Sequence, residues 1–396
     1  MTLNKNEFNN HIAEIDKRAF VDYYNKNSIM PVSQDVNDPD FVFRRESLYR
    51  MLGIPLPTLC GKQILELGPG GGFNAIAITQ YKPRSYVFVD AAKISIQELK
   101  RKKATGLFGD VEVDIIQSNI FDYADKRDFD LVIIEGTIPG QTKPDEILKH
   151  AASFVAPNSF LVTTTTTAAS VMSEVCRRLF RPFILDQGKT FDEQIVIAEK
   201  IFDPHLKSLK TRTRPTRDWV LDVILHEWEN GAKIVYSLLD SCRALGPNFE
   251  FYNSSPRFLI DDRFYKTINR SSGVPSESLS QQFSHLPLAF LDYRVSILDI
   301  LKSGHKLDVE DLCMTLFNIQ LDIVKDNSYS KLEEFMSHLK KLKKLLPDVS
   351  SPTVVAIDEF LIKFPEIIKK KFLLDLPEFC SWWGRGQQYC SFTRLR

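Results

Sequence analysis

Several things are scarce in this chain. Of its 396 residues only six are cysteine, at 60, 176, 242, 313, 380 and 390, and no two are spaced as C-x-x-C. That spacing predicts neither a zinc site nor a dithiol redox centre, and no metal is expected. Dispersed thiols without a pairing framework fit a reducing cytoplasm, which is the expected location. No apolar run reaches the ~18 residues that a membrane span requires, so no span is predicted. The first ten residues are polar and lack the apolar centre of a secretory leader. Net charge is absent too, since 51 basic residues balance 51 acidic ones. Phosphate backbones are gripped by clustered cations, so a nucleic-acid partner is not favoured, although basic stretches occur at 207–217 and 340–344. Glycine is sparse, at 17 residues, and this makes its one dense cluster informative.

The cluster follows an apolar run: Ile64, Leu65, Glu66, Leu67, Gly68, Pro69, Gly70, Gly71, Gly72, Phe73. Such a pattern turns a buried strand sharply into a helix around a nucleotide-like ligand. Gly68 can take the positive φ of the turn, and Gly70 and Gly72 let a ligand lie against backbone. The helix that follows aims its N-terminal N–H groups into the site. The dinucleotide fingerprint G-x-G-x-x-G would need its third glycine at position 73, which is Phe, so NAD is disfavoured.

The units that follow repeat strand and helix. Residues 86–89 (Tyr-Val-Phe-Val) are β-formers ending in Asp90, 22 positions after Gly68. An acid at about that distance from a glycine loop accepts from both ribose hydroxyls. The competing role is a turn aspartate capping the helix of residues 94–103, and Ala91 lies beside it. A third strand covers 111–116 and runs into Gln117, Ser118, Asn119, Ile120, Phe121 and Asp122. A fourth, 129–134, ends at Glu135, followed by Gly-Thr-Ile-Pro. Parallel sheets bind ligands beyond the carboxyl ends of their strands, which aims Glu135 at the site. It would hold a ligand ammonium, position an acceptor, act as a base, or simply cap the next helix. A fifth strand covers 159–165.

In this order, E-x-G-x-G-x-G, ribose acid, third-strand turn and fourth-strand acid, residues 60–200 resemble the class I S-adenosylmethionine-dependent methyltransferases. The resemblance implies an α/β, Rossmann-like, doubly wound and mostly parallel sheet. It implies S-adenosylmethionine as donor and S-adenosylhomocysteine as product, with Glu66, Gly68, Gly70, Gly72, Asp90, Ala91 and Glu135 around the donor. It places Asn119 at the adenine amino group and Ile120 on the ring. Asn is a departure from the Asp common at that place, and Asp122 competes for the role. The turn Glu-Gly-Thr-Ile-Pro also departs from the Asn/Asp-Pro-Pro-aromatic tetrad of many base- and glutamine-methylating enzymes.

Three parts are expected: a helical lead-in at 1–60, the donor-binding core at 61–202, and a mainly helical appendage at 203–396. Within the core, strands six and seven are placed at 181–185 and 194–198. Helices are expected at 12–24, 44–52, 219–229, 233–244, 287–303, 309–325, 331–346 and 354–363, with loops at 246–256 and 271–278. In the appendage, residues 249–266 gather aromatics, acids and arginines, the mixture that polar acceptors need. Tyr252, Arg257, Arg263 and Tyr265 are the candidate acceptor contacts, and Asp261 and Asp262 join Glu135 as candidate bases. Residues 382–389, rich in tryptophan, would close a pocket or bury the chain on the core. The expected activity is methyl transfer to a small-molecule or glycan-like acceptor. A protein acceptor docked by the appendage, and a catalytically silent donor-binding scaffold, are the alternatives.

Overall fold

A computed structural model describes residues 21–27, 33–210, 214–226, 234–257, 263–267, 286–304 and 309–396. Seven strands form one sheet: β1 (Gln63–Leu67), β2 (Ser85–Asp90), β3 (Glu112–Gln117), β4 (Phe129–Ile134), β5 (Val155–Thr165), β6 (Phe249–Ser255) and β7 (Gln388–Arg394). Their order is β3-β2-β1-β4-β5-β7-β6. The first five run parallel, and β7 is antiparallel to both β5 and β6. Every residue of β2 is buried, as expected of a parallel strand covered on both faces.

Four helices position the site: α1 (Phe41–Met51), α2 (Phe73–Thr79), α3 (Lys93–Ala104) and α4 (Pro144–Ser153). The start of α4 carries Pro144, Asp145 and Glu146, and its last turn carries His150, a charge order that suits the helix dipole. Paired residues of parallel strands share a face. Ile64, Tyr86, Phe88, Leu131, Ile133 and Val162 therefore line one face, and Phe41, Tyr49 and Leu52 pack on it with Ala75 and Ile78 of α2.

The chain divides into two compact units. One comprises residues Met1–Thr165, Asn230–Val274 and Gln388–Arg396 and holds the whole sheet; the other comprises Thr166–Glu229 and Pro275–Gln387. Strands six and seven are therefore not where the sequence pattern places them. Residues 181–185 lie in a helix, Arg181–Gln187, with a proline in its first turn. Residues 194–198 lie in the helix Phe191–Lys207, opened by a capping box between Thr190 and Glu193. Ile195, Ala198, Ile201, Phe202 and His205 are buried at helical spacing there, so the β-branched run Ile-Val-Ile is one stretch of an amphipathic helix. The expected loop at 246–256 is instead mostly β6.

The expected helix 219–229 is a short helix, Thr216–Trp219, followed by a π turn at Val220–Ile224. The one expected at 287–303 is two, Pro287–Phe290 and Ile297–Ser303. The loop at 271–278 and most of the helix at 12–24 lie outside the described residues. In the second unit Trp382 and Trp383 are buried, their indole N–H groups donating to the Leu291 carbonyl at 2.7 Å and to Ser208 Oγ at 3.0 Å. Both lie in that unit's core. Among the described residues no helix is long and apolar enough to cross a membrane.

Candidate active site

The site is built where β1 runs out. Gly68, Gly70 and Gly72 have φ of 72°, 56° and 70°, which together turn the chain from β1 into α2. Space is as restrictive as the dihedrals. A Cβ on Gly68 would sit 2.5 Å from Thr137 Oγ1, and one on Gly72 would sit 2.4 Å from Leu99 Cδ2. Asp90, at the end of β2, ties this loop to its neighbour. Its Oδ2 accepts from the Gly70 N–H at 3.0 Å and its Oδ1 from the Ala92 N–H at 2.8 Å. Burial pushes the Asp90 carboxyl up to about 6, against the pull of those N–H groups.

Glu66, the next-to-last residue of β1, is buried, its Oε2 accepting from the Tyr86 hydroxyl at 2.7 Å. Burial, followed by the nearby Glu135 carboxylate, raises it to about 7. Glu135 follows β4 and is held by four donor contacts. Arg45 Nη2 reaches Oε1 at 3.0 Å and Oε2 at 2.8 Å, Tyr49 donates to Oε1 at 3.0 Å, and Asn74 Nδ2 to Oε2 at 3.4 Å. Arg45 and Tyr49 come from α1, whose buried face is Phe41, Arg45 and Tyr49. Burial alone would lower the Arg45 guanidinium, but Glu135, joined by Tyr49 and Tyr389, outweighs it and the net shift is upward. Burial and then Glu135 raise the Tyr49 hydroxyl well above its ordinary range. Two carboxylate oxygens offer about four acceptor positions. Four contacts fill them, which fixes the Glu135 carboxylate in place.

Ala91 is half-buried between Asp90 and the Ala92 N–H that Asp90 binds. Asn119 Oδ1 accepts from the Phe121 N–H at 3.0 Å and caps the short turn Ile120–Asp122 beyond β3. Ile120 is half-buried and Asp122 exposed. Tyr252 lies on β6 with its ring 5.2 Å from Phe160, and its edge fills the space that a side chain on Gly53 would need. Arg257 donates to the carbonyls of Met51 at 3.1 Å and Arg50 at 2.9 Å. Both thus brace the end of α1 against β6. Arg263 is half-buried, and the exposed Tyr265 meets Phe264 edge to face at 5.2 Å. Asp261 and Asp262 lie outside the described residues.

Sequence reasoning missed Arg45, Tyr49 and Asn74. The four-residue spacing of Phe41, Arg45 and Tyr49 was the available signal for a buried helix face. Nothing local marks Glu135, 90 residues on, as the partner of Arg45.

Residues 60–195 match the family model described as a methyltransferase domain. Among matching solved structures is magnesium protoporphyrin IX methyltransferase (ChlM) from Synechocystis PCC 6803 with bound SAM. It is 17% identical, covers 38% of this chain and 76% of its own, and has a TM-score of 0.31. N-methyltransferase NodS from Bradyrhizobium japonicum WM9, in complex with S-adenosyl-L-homocysteine, is also 17% identical, with 37% and 75% covered and a TM-score of 0.31. PKMT2 from Rickettsia typhi, in complex with AdoHcy, is 15% identical over 62% of this chain and 49% of that one, about half its length, with a TM-score of 0.38. No curated protein matched the sequence.

Proposed function

Starting from a methyltransferase domain at residues 60–195, of a family that uses S-adenosylmethionine, we propose that this chain transfers a methyl group from that donor to a small-molecule or glycan-like acceptor. The observation that carries the donor assignment is the join between the three positive-φ glycines and the Asp90 carboxylate, which hydrogen-bonds the Gly70 N–H. The charge balance fits as well. Glu66 and Asp90 are buried carboxylates raised by desolvation, while the one guanidinium bonded within this cluster, Arg45, is committed to Glu135. A ligand whose sulfonium and ammonium outweigh its one carboxylate brings net positive charge to the site, and a pyrophosphate would add to the negative.

When bound, the donor supplies a methyl carbon on a sulfonium, open to in-line displacement by an acceptor lone pair. The chain's part is to bind and orient. Asp90 would take the ribose hydroxyls, Ile120 the adenine face, with Asn119 beside it, and Glu66 the cationic end. Glu135, its acceptor positions taken by Arg45, Tyr49 and Asn74, would orient the donor through the position in which it holds these three side chains. The exposed Phe264–Tyr265 pair offers stacking faces of the kind sugars use. A protein acceptor is the second reading, favoured by the exposure of Tyr252, Phe264 and Tyr265, at 48%, 61% and 70%, where a small acceptor would be expected to enclose them.

Calorimetric titration of SAM, S-adenosylhomocysteine and NAD into the full chain tests the donor assignment. Micromolar binding of the first two, lost in Asp90→Ala and Gly70→Val, is expected. Absence of binding to folded wild-type protein refutes it. A labelled-methyl screen over glycans, small metabolites and peptides then separates the acceptors.

A further inference from the structure

Lys102 is a buried ionisable group that the proposed chemistry leaves unused. It lies in the last turn of α3 and is 1% exposed. Taking an ammonium out of water is costly unless partners replace the water. Three do so here. Glu98, one turn earlier, is 2.6 Å from Nζ; the Gly71 carbonyl accepts at 2.9 Å; and the Phe73 ring lies beneath, its centroid 3.3 Å away. The neighbouring Arg101 satisfies the same Glu98 from the exposed side, so a pair with Glu98 does not require burial. Burial pulls the Lys102 ammonium downward and Glu98 opposes that. An apolar side chain would fill the volume without the desolvation. What it would not do is hold the Gly71 carbonyl.

That carbonyl belongs to the peptide joining Gly71 and Gly72, whose N–H donates to the Pro69 carbonyl at 3.0 Å. The peptide is therefore pinned at both ends. With the Gly70 N–H on Asp90 and the Gly68 N–H on the Val89 carbonyl at 2.9 Å, the loop has four restraints, and three of them come from β2 and the helix that follows it. Consecutive glycines have wide backbone freedom, and any freedom remaining in the loop must be given up when a ligand binds. Phe73, at the third-glycine position of the dinucleotide pattern, supplies the aromatic face on which the ammonium rests.

We propose that Lys102 is a positioning residue for donor binding, which sets the glycine loop in its binding conformation before the donor arrives. The proposal rests on the methyltransferase reading. It is tested on the full chain with Lys102→Met, Lys102→Arg and Glu98→Gln, measuring calorimetric Kd for SAM and S-adenosylhomocysteine, Tm without ligand, and amide exchange across 68–73. Lys102→Met is expected to weaken both ligands by about ten-fold or more, the scale of one hydrogen bond to a charged group. Exchange across the loop should quicken in its free form and return to wild-type values when SAM is bound. Lys102→Arg should recover part of the affinity.

A Lys102→Met protein that is folded, less heat-stable, and binds both ligands with wild-type Kd makes the lysine structural only and overturns the proposal. Should Lys102→Met fail to fold, Glu98→Gln decides: weaker donor binding supports the role, unchanged binding overturns it. Wild-type protein that binds neither ligand refutes the methyltransferase reading itself, and this role with it.

Discussion

Replacing Arg45 by methionine should leave Glu135 as a stranded buried anion. The side chains of the pair are 8% and 6% exposed, and the guanidinium makes two of the carboxylate's four contacts. Removing one partner of a buried ion pair costs about 3–5 kcal/mol, chiefly because the other charge is left uncompensated. The pH dependence follows by linkage. Arg45 pulls the raised Glu66 carboxyl downward, so without it that carboxyl rises further and the folded variant keeps the Glu66 proton to higher pH than wild type does. Its stability should fall as pH rises, and the deficit against wild type should be larger at pH 8 than at pH 5.5. Urea denaturation of wild type, Arg45→Met, Glu135→Gln and the double variant at both pH values is the assay. The double variant leaves only Glu66 without a cation and should be more stable than Arg45→Met alone. A loss below about 1 kcal/mol, the range of surface pairs, or simple additivity of the two substitutions, would refute the argument.

Other outcomes follow from the same structure. Gly72→Ala combines a positive φ with a Cβ 2.4 Å from Leu99, and should lower Tm and weaken SAM binding together, as scanning calorimetry and titration would show. The Glu66 carboxyl, raised to about 7 when folded against about 4.3 when unfolded, contributes stability below pH 4 that is lost as pH rises through 7; Glu66→Gln should flatten that part of the stability–pH curve. Since the donor is cationic, SAM binding to wild type should tighten from pH 6 to 8, and Glu66→Gln should reduce that slope to the part Asp90 supplies near pH 6. In the second unit, Arg177 is fully buried, donates to the carbonyls of Phe379, Cys380 and Trp382, and stacks on Trp383 at 3.8 Å. Arg177→Met should cost about 2–4 kcal/mol in urea denaturation by leaving buried carbonyls unpaired.

The parts of the fold legible in the sequence are those where local chemistry is decisive. β1, β2 and β4 are apolar runs ending in Gly, Asp and Glu, and the glycine loop needs the positive φ that only its composition supplies cheaply. Asp90 was legible because its distance from the loop follows from one helix and one strand. β6 and β7 were not, because each pairs with a strand remote in sequence: Thr165 meets Gln388 across 223 residues. No local pattern encodes such a partner. The run Gln-Ile-Val-Ile-Ala mimicked a strand, yet the Thr190–Glu193 capping box four residues earlier was in view and argued for a helix. The acceptor residues were harder for a different reason. Tyr252 and Arg257 carry the aromatic and forked groups expected of a binding site, and both serve the packing of α1 against β6.

The pairing of β5 with β7 also sets a clock on biosynthesis. At about 5–20 residues per second, a ribosome that has just released Thr165 needs about 10–45 s to deliver Gln388. Throughout that interval β1 to β5 can assemble while the outer edge of β5, with Leu161, Val162 and three threonines, has no neighbour. An open β-branched edge is a template for other nascent chains. Early capture by a chaperone should therefore matter more to the yield of this protein than its final stability. A fragment ending near residue 200, although it spans the whole family match, should aggregate, whereas one that also carries residues 388–396 in a fused or co-expressed form should be rescued.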